Sequence, residues 1–176
     1  PCALPGTFTP RPTHSPTVAQ PSSSPTPKPT PSPTIAQPTR APSDGIVTDA
    51  EYDAIEADVS ALSAAFGNDD VSRAHFLGGI VRLVAHDFMD FSANDENPMG
   101  SSDGCIDMAH PDNSGLPQDV WCDDGCPLTD VYNANFAHIS KADFWIAAGN
   151  AVIKIASNNA LDMKSSYRSG RVDADS

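Results

Sequence analysis

Apolar side chains recur at helical spacing in three stretches of this chain and at strand spacing in none of useful length, which reads as an all-α class. The first stretch opens on Thr48-Asp49-Ala50-Glu51, a capping-box pattern. Ile55, Val59, Leu62 and Phe66 follow at steps of four, three and four, so a helix is expected to about Phe66, with Gly67-Asn68 as its stop. Asp69-Asp70 then places negative charge at a second helix start, where it suits the helix dipole. Ala74, Leu77, Val81 and Val84 form that helix's expected apolar stripe, to about Phe88. The Gly78-Gly79 pair weakens it locally or lets a flat object approach closely. From Asp90 to Leu128 the pattern dissolves into Gly, Pro, Asn, Asp and Cys, a length that calls for a metal, disulfides or a ligand to organise it. A short helix is expected over about Thr129–Ala137. Ser140 with Asp143 then caps a strongly apolar helix carrying Phe144, Ala147, Ala148, Ala151, Val152 and Ile155 to about Ser157.

Composition divides the chain at about residue 43. Residues 1–43 hold 13 of the 17 prolines and no Asp or Glu, while residues 44–176 hold all 23 acidic side chains against seven basic ones. The first segment has too little apolar surface to offset its chain entropy, so a disordered Pro/Ser/Thr-rich stalk or linker is expected over 1–43 and a helical domain over 44–176. Within the stalk, Ser15-Pro16-Thr17-Val18-Ala19-Gln20-Pro21 returns as Ser32-Pro33-Thr34-Ile35-Ala36-Gln37-Pro38, a composition that favours polyproline II and suits a spacer or an O-glycosylated stalk. The acidic body argues against a nucleic-acid partner, since phosphate binding needs a basic surface. No apolar run approaches the ~20 residues of a membrane span. The chain opens on Pro1 without a signal-like apolar core and reads as a processed or partial chain.

Four cysteines are present, at positions 2, 105, 122 and 126. Cys122-Asp123-Asp124-Gly125-Cys126 closes a small loop if oxidised and offers two zinc ligands if reduced. Beside a Ser/Thr/Pro stalk, the disulfide reading and a secreted or extracellular location are preferred, with connectivity left open.

Arg82 and His86 stand four residues apart on the second helix and so share one of its faces. One is a permanent cation; the other moves a proton near neutral pH. Three segments then resemble the haem peroxidase superfamily of plants, fungi and bacteria. Arg82-Leu83-Val84-Ala85-His86-Asp87 is similar to its distal helix motif, and His110-Pro111-Asp112-Asn113-Ser114-Gly115-Leu116 to its Asn-x-Gly-Leu segment. Ser140-Lys141-Ala142-Asp143 with Gly170-Arg171-Val172-Asp173 is similar to its Ser-x-Ala-Asp helix and the Gly-Arg-x-Asp stretch beyond.

This resemblance, over about residues 50–176, implies the distal half of a haem-peroxidase-like domain. It implies haem b as cofactor and partners that are hydrogen peroxide and a one-electron donor, in a response to oxidative stress. His86 takes the role of proton acceptor and donor to peroxide, Arg82 that of charge stabiliser, and Asn113 that of acceptor for the other imidazole nitrogen. It also implies a calcium site with Asp87 and Asp103 as two ligands. Cys105 stands where a hydroxyl ligand is usual, with Asp107 as a substitute, and Ala85 stands where an aromatic residue is usual. His14, His75, His110 and His138 match no proximal motif and read as surface or capping residues, which places the iron ligand beyond Ser176. Two alternatives stand beside this one. The first is a non-catalytic secreted scaffold or cation-binding extracellular protein; the second is an adhesion module held by zinc or calcium around Cys122 and Cys126.

Overall fold

Thr48 begins the first helix for a local reason: its Oγ1 accepts from the Glu51 amide at 3.2 Å, and the Glu51 carboxylate accepts from the Thr48 amide at 2.7 Å. This reciprocal cap satisfies two donors that an α-helix start otherwise leaves bare. The computed structural model describes residues 45–89, 101–123 and 125–174. The expectation of a disordered stalk over 1–43 therefore lies outside the described residues. Helix α1 spans Asp49–Ala65 and α2 spans Asp70–Phe88, the latter capped by the Asp69 carboxylate on the Ser72 amide. The short helices α3 (Leu116–Asp119) and α4 (Pro127–Val131) follow, and α4 continues through a wider turn over Tyr132–Phe136. Helix α5 spans Lys141–Ala156. Among the described residues the structure is helical with no strand, and no helix is long and apolar enough to cross a membrane.

Helix α5 is the centre of the packing and lies against both α1 and α2. Its residues Ala142, Asp143, Phe144, Trp145, Ala147, Ala148, Gly149, Ala151 and Val152 are all buried, so it is covered on nearly every side. Phe144 and Trp145 join Trp121, Tyr132 and Phe136 in an aromatic cluster with ring centroids 5.0 to 6.2 Å apart. Close helix approach depends on two glycines. A Cβ at Gly149 would lie 2.9 Å from Val84 Cγ2, and one at Gly79 would lie 2.3 Å from Val120 Cγ2. Gly79 therefore serves contact with α3, whereas Gly78 faces open space.

The N-terminus of α5 is tied to the last described segment. Its first two amides, Lys141 and Ala142, donate to the Asp173 carboxylate at 2.9 and 3.0 Å, and its third donates to Ser140 Oγ at 3.1 Å. Asp143 is fully buried and accepts from the Gly170 amide (2.6 Å), the Arg171 amide (3.2 Å) and Arg171 Nη1 (2.7 Å). A buried carboxylate needs this density of donors. The Ala174 amide also reaches the Asp103 carbonyl at 2.7 Å, which draws the 101–104 loop onto the same place.

Two expectations need correction. The buried side of α2 carries Phe76, Ile80, Leu83 and Asp87, whereas Ala74 and Val81 are exposed and Leu77 and Val84 only partly covered. Phe76, Ile80 and Leu83 also recur at helical spacing, and tertiary packing buries this bulkier set. The helix expected over Thr129–Ala137 begins instead at Pro127, with Cys126 as its cap. Proline tolerates the first helical position because its missing N–H has no partner there anyway.

Candidate functional site

Helix α2 presents Arg82 and His86 side by side, both partly buried, on the flank between its buried face and its exposed one. The segment 107–116 comes up against that flank. His110 caps a tight turn over Pro111–Asn113, its Nδ1 accepting from the Asp112 amide at 3.3 Å. Gly115 ends the turn at φ 96°, a conformation that favours glycine. Leu116 and Val120, each 1% exposed, anchor the chain beyond it in the core.

Asn113 is buried, and its side chain bridges two groups. Its Nδ2 donates to the Asp107 carbonyl at 2.8 Å, and its Oδ1 lies 2.6 Å from His86 Nδ1. The first contact decides the chemistry of the second. A carbonyl oxygen only accepts, so the amide nitrogen must face Asp107 and the amide oxygen must face the imidazole. That oxygen also only accepts, so His86 carries its proton on Nδ1. In the neutral ring Nε2 then has a free lone pair, and no described side chain bonds to it. Arg82 Nη1 donates to the Ser114 carbonyl at 2.7 Å, and Nη2 donates to the Asp112 carbonyl. Sequence reading placed Arg82, His86 and Asn113 together, and the structure brings them together.

The acidic residues fall elsewhere. Asp87 lies on the buried face of α2 and is 1% exposed. Asp103 sits in the loop ahead of Cys105, its Oδ1 accepting from the Cys105 amide at 3.1 Å. Cys105 is disulfide-bonded and offers no thiol, and Asp107 Oδ1 accepts from the Ala109 amide at 3.0 Å. Among the described residues no three His, Cys, Asp or Glu side chains gather into a metal-holding group. Cys122 and Cys126 are joined as a disulfide and so are not zinc ligands. His75 and His110 are exposed, and His138 Nε2 donates to Glu51 Oε1, 2.6 Å away. Sequence reading missed the carbonyls of Asp107, Asp112 and Ser114, because a backbone oxygen carries no residue-type signal.

Beside the pair, a groove of about 270 Å³ runs past His75, Gly78, Arg82, Gly115 and Asp119. The exposed face of α2 carries Ala74, Gly78, Val81 and Phe88, with the half-buried Ala85 among them, at alternating steps of four and three, and Val81 is 42% and Phe88 48% exposed. No protein-family model, curated protein or solved structure matches this chain.

Proposed function

We propose that this chain forms the distal side of a haem pocket that reduces hydrogen peroxide and draws electrons from a one-electron donor. The observation that carries the reading is the Asp107–Asn113–His86 relay, which leaves a bare imidazole nitrogen next to a guanidinium. A base of this kind takes a proton from one peroxide oxygen and returns it to the departing one, leaving water. Arg82 still has N–H groups beyond the two it gives to carbonyls, and these can steady charge on the peroxide oxygens. The residues fit a haem on this side: Ala74, Gly78, Val81, Ala85 and Phe88 are apolar, and Gly78 adds no side chain to the strip and opens onto free space. Bound there, the haem would supply the redox chemistry, and the protein supplies placement and electrostatics. Calcium would enter the reading only at Asp87 and Asp103, since the disulfide-bonded Cys105 offers no ligand. The Cys122–Cys126 disulfide supports an oxidising, secreted setting.

One observation favours the non-catalytic scaffold instead. Arg82 has a structural use, since it holds two carbonyls of the 112–114 turn. Haem titration of a longer protein that carries the proximal iron ligand, followed by rapid mixing with peroxide, separates the two. The proposal expects a Soret band and a peroxide reaction that His86→Leu slows by about two to four orders of magnitude with the band retained. An unchanged rate removes His86 from the chemistry, and a protein that takes up no haem puts the scaffold first.

A further inference from the structure

The two carbonyls that Arg82 holds belong to Asp112 and Ser114, the residues on either side of Asn113. A guanidinium presents its donors in a rigid planar fork, so bonds from both terminal nitrogens fix the spacing and tilt of both acceptors. Asp107 closes the same turn from its other end, its carbonyl accepting from the His110 amide at 3.0 Å and from Asn113 Nδ2 at 2.8 Å. Asn113 is thereby held on three sides before its Oδ1 meets His86.

We propose that Arg82 is a positioning residue for His86: by clamping the peptide groups that flank Asn113, it sets which ring nitrogen of His86 carries the proton. Neutral imidazole in water prefers the proton on Nε2. An acceptor fixed at Nδ1 reverses that preference and leaves Nε2 bare. Loss of Arg82 then removes a working base as well as a cation, and substitutions at Arg82 and Asn113 combine non-additively. The functional meaning of the clamp rests on the peroxide reading, but the tautomer itself does not.

The test is NMR of the ring nitrogens in protein labelled with ¹⁵N-histidine, recorded without haem or peroxide. Arg82 is only partly buried, and Gln and Lys are good helix formers, so Arg82→Gln and Arg82→Lys should fold, with circular dichroism as the check. Native protein should show His86 protonated at Nδ1. Arg82→Gln should shift it to a mixture dominated by the Nε2-protonated form, with Arg82→Lys in between. Asn113→Ala, with the clamp intact, should give the Nε2-protonated signal and shows that the spectrum reads this bond. A folded Arg82→Gln protein with the native signal overturns the proposal, as does native protein protonated at Nε2. If the Gln variant loses helical signal, the Lys variant decides by the same criterion. Failure here leaves the peroxide reaction standing, whereas an unchanged peroxide rate in His86→Leu removes the reaction and leaves the clamp.

Discussion

Two polar clusters in this molecule are built from similar parts and end in opposite states. At the N-terminus of α5, the buried Asp143 carboxylate receives three donors from Gly170 and Arg171, and the Asp173 carboxylate takes the first two amides of the helix. Every strong group there is matched, and the cluster ties the 170–174 segment down. On the flank of α2, Asn113 and Arg82 bond to one turn, and among the described residues His86 Nε2 meets no side-chain partner. Matched polar groups hold a fold, while an unmatched, oriented one beside an exposed apolar strip is available for chemistry.

Substitution can break this contrast. His86→Leu should cost the peroxide reaction about 3 to 5 kcal/mol of transition-state stabilisation while lowering stability by only about 1 to 3 kcal/mol, for the buried Asn113 Oδ1 that it leaves without a donor. A fall in stability matching the fall in rate would make the two clusters alike. Arg171→Met should act the other way, destabilising the domain by about 3 to 5 kcal/mol in urea unfolding because it strands a fully buried Asp143 charge. A cost near zero would mean the two backbone donors suffice.

Smaller effects sharpen the boundary between the regions. Gly79→Ala should cost about 1 to 3 kcal/mol, since its methyl group meets the buried Val120, whereas Gly78→Ala should be neutral or slightly stabilising. Equal melting temperatures for the two variants would count against the α2–α3 approach described above. The smallest effect lies at the start of α1. The His138 ring, followed by the Thr48 amide and hydroxyl, holds the Glu51 carboxyl down from its ordinary 4.5 to about 2. A depressed carboxyl binds fewer protons folded than unfolded, so its contribution is full above about pH 4.5 and is lost as pH falls through about 2. The pair is partly exposed and is worth a few tenths of a kcal/mol to about 1. His138→Ala should flatten the stability profile in that window and lower stability by that same few tenths to about 1 kcal/mol at pH 7, where the contribution is full.

Much of the fold was legible because it is decided locally. The Thr48 and Ser140 caps, the Asp69 start and the apolar core of α5 depend on side chains and amides within a few residues of each other, and all four are where the pattern put them. The α2 stripe was not legible. Ala74-Leu77-Val81-Val84 and Phe76-Ile80-Leu83-Asp87 both recur at helical spacing, and a lone helix has no means of choosing which to bury. At the candidate site the residue types were legible and the roles only partly so. Arg82 and His86 are neighbours by helix geometry alone, but Asn113 reaches them from 27 residues beyond His86.

What the sequence alone determined is the all-helical class, the position of its capped starts, the acidic body and the side-by-side placement of Arg82 and His86. Periodicity and capping act over one or two helical turns, so they are written in adjacent residues. Tertiary structure decided which face of α2 is buried, that Gly79 serves α3, that Asp143 and Asp173 latch α5 to the 170–174 segment, and that the His86 proton sits on Nδ1. Each depends on where a carbonyl, an amide or a neighbouring helix comes to rest in space, and backbone groups are the same at every position of a sequence.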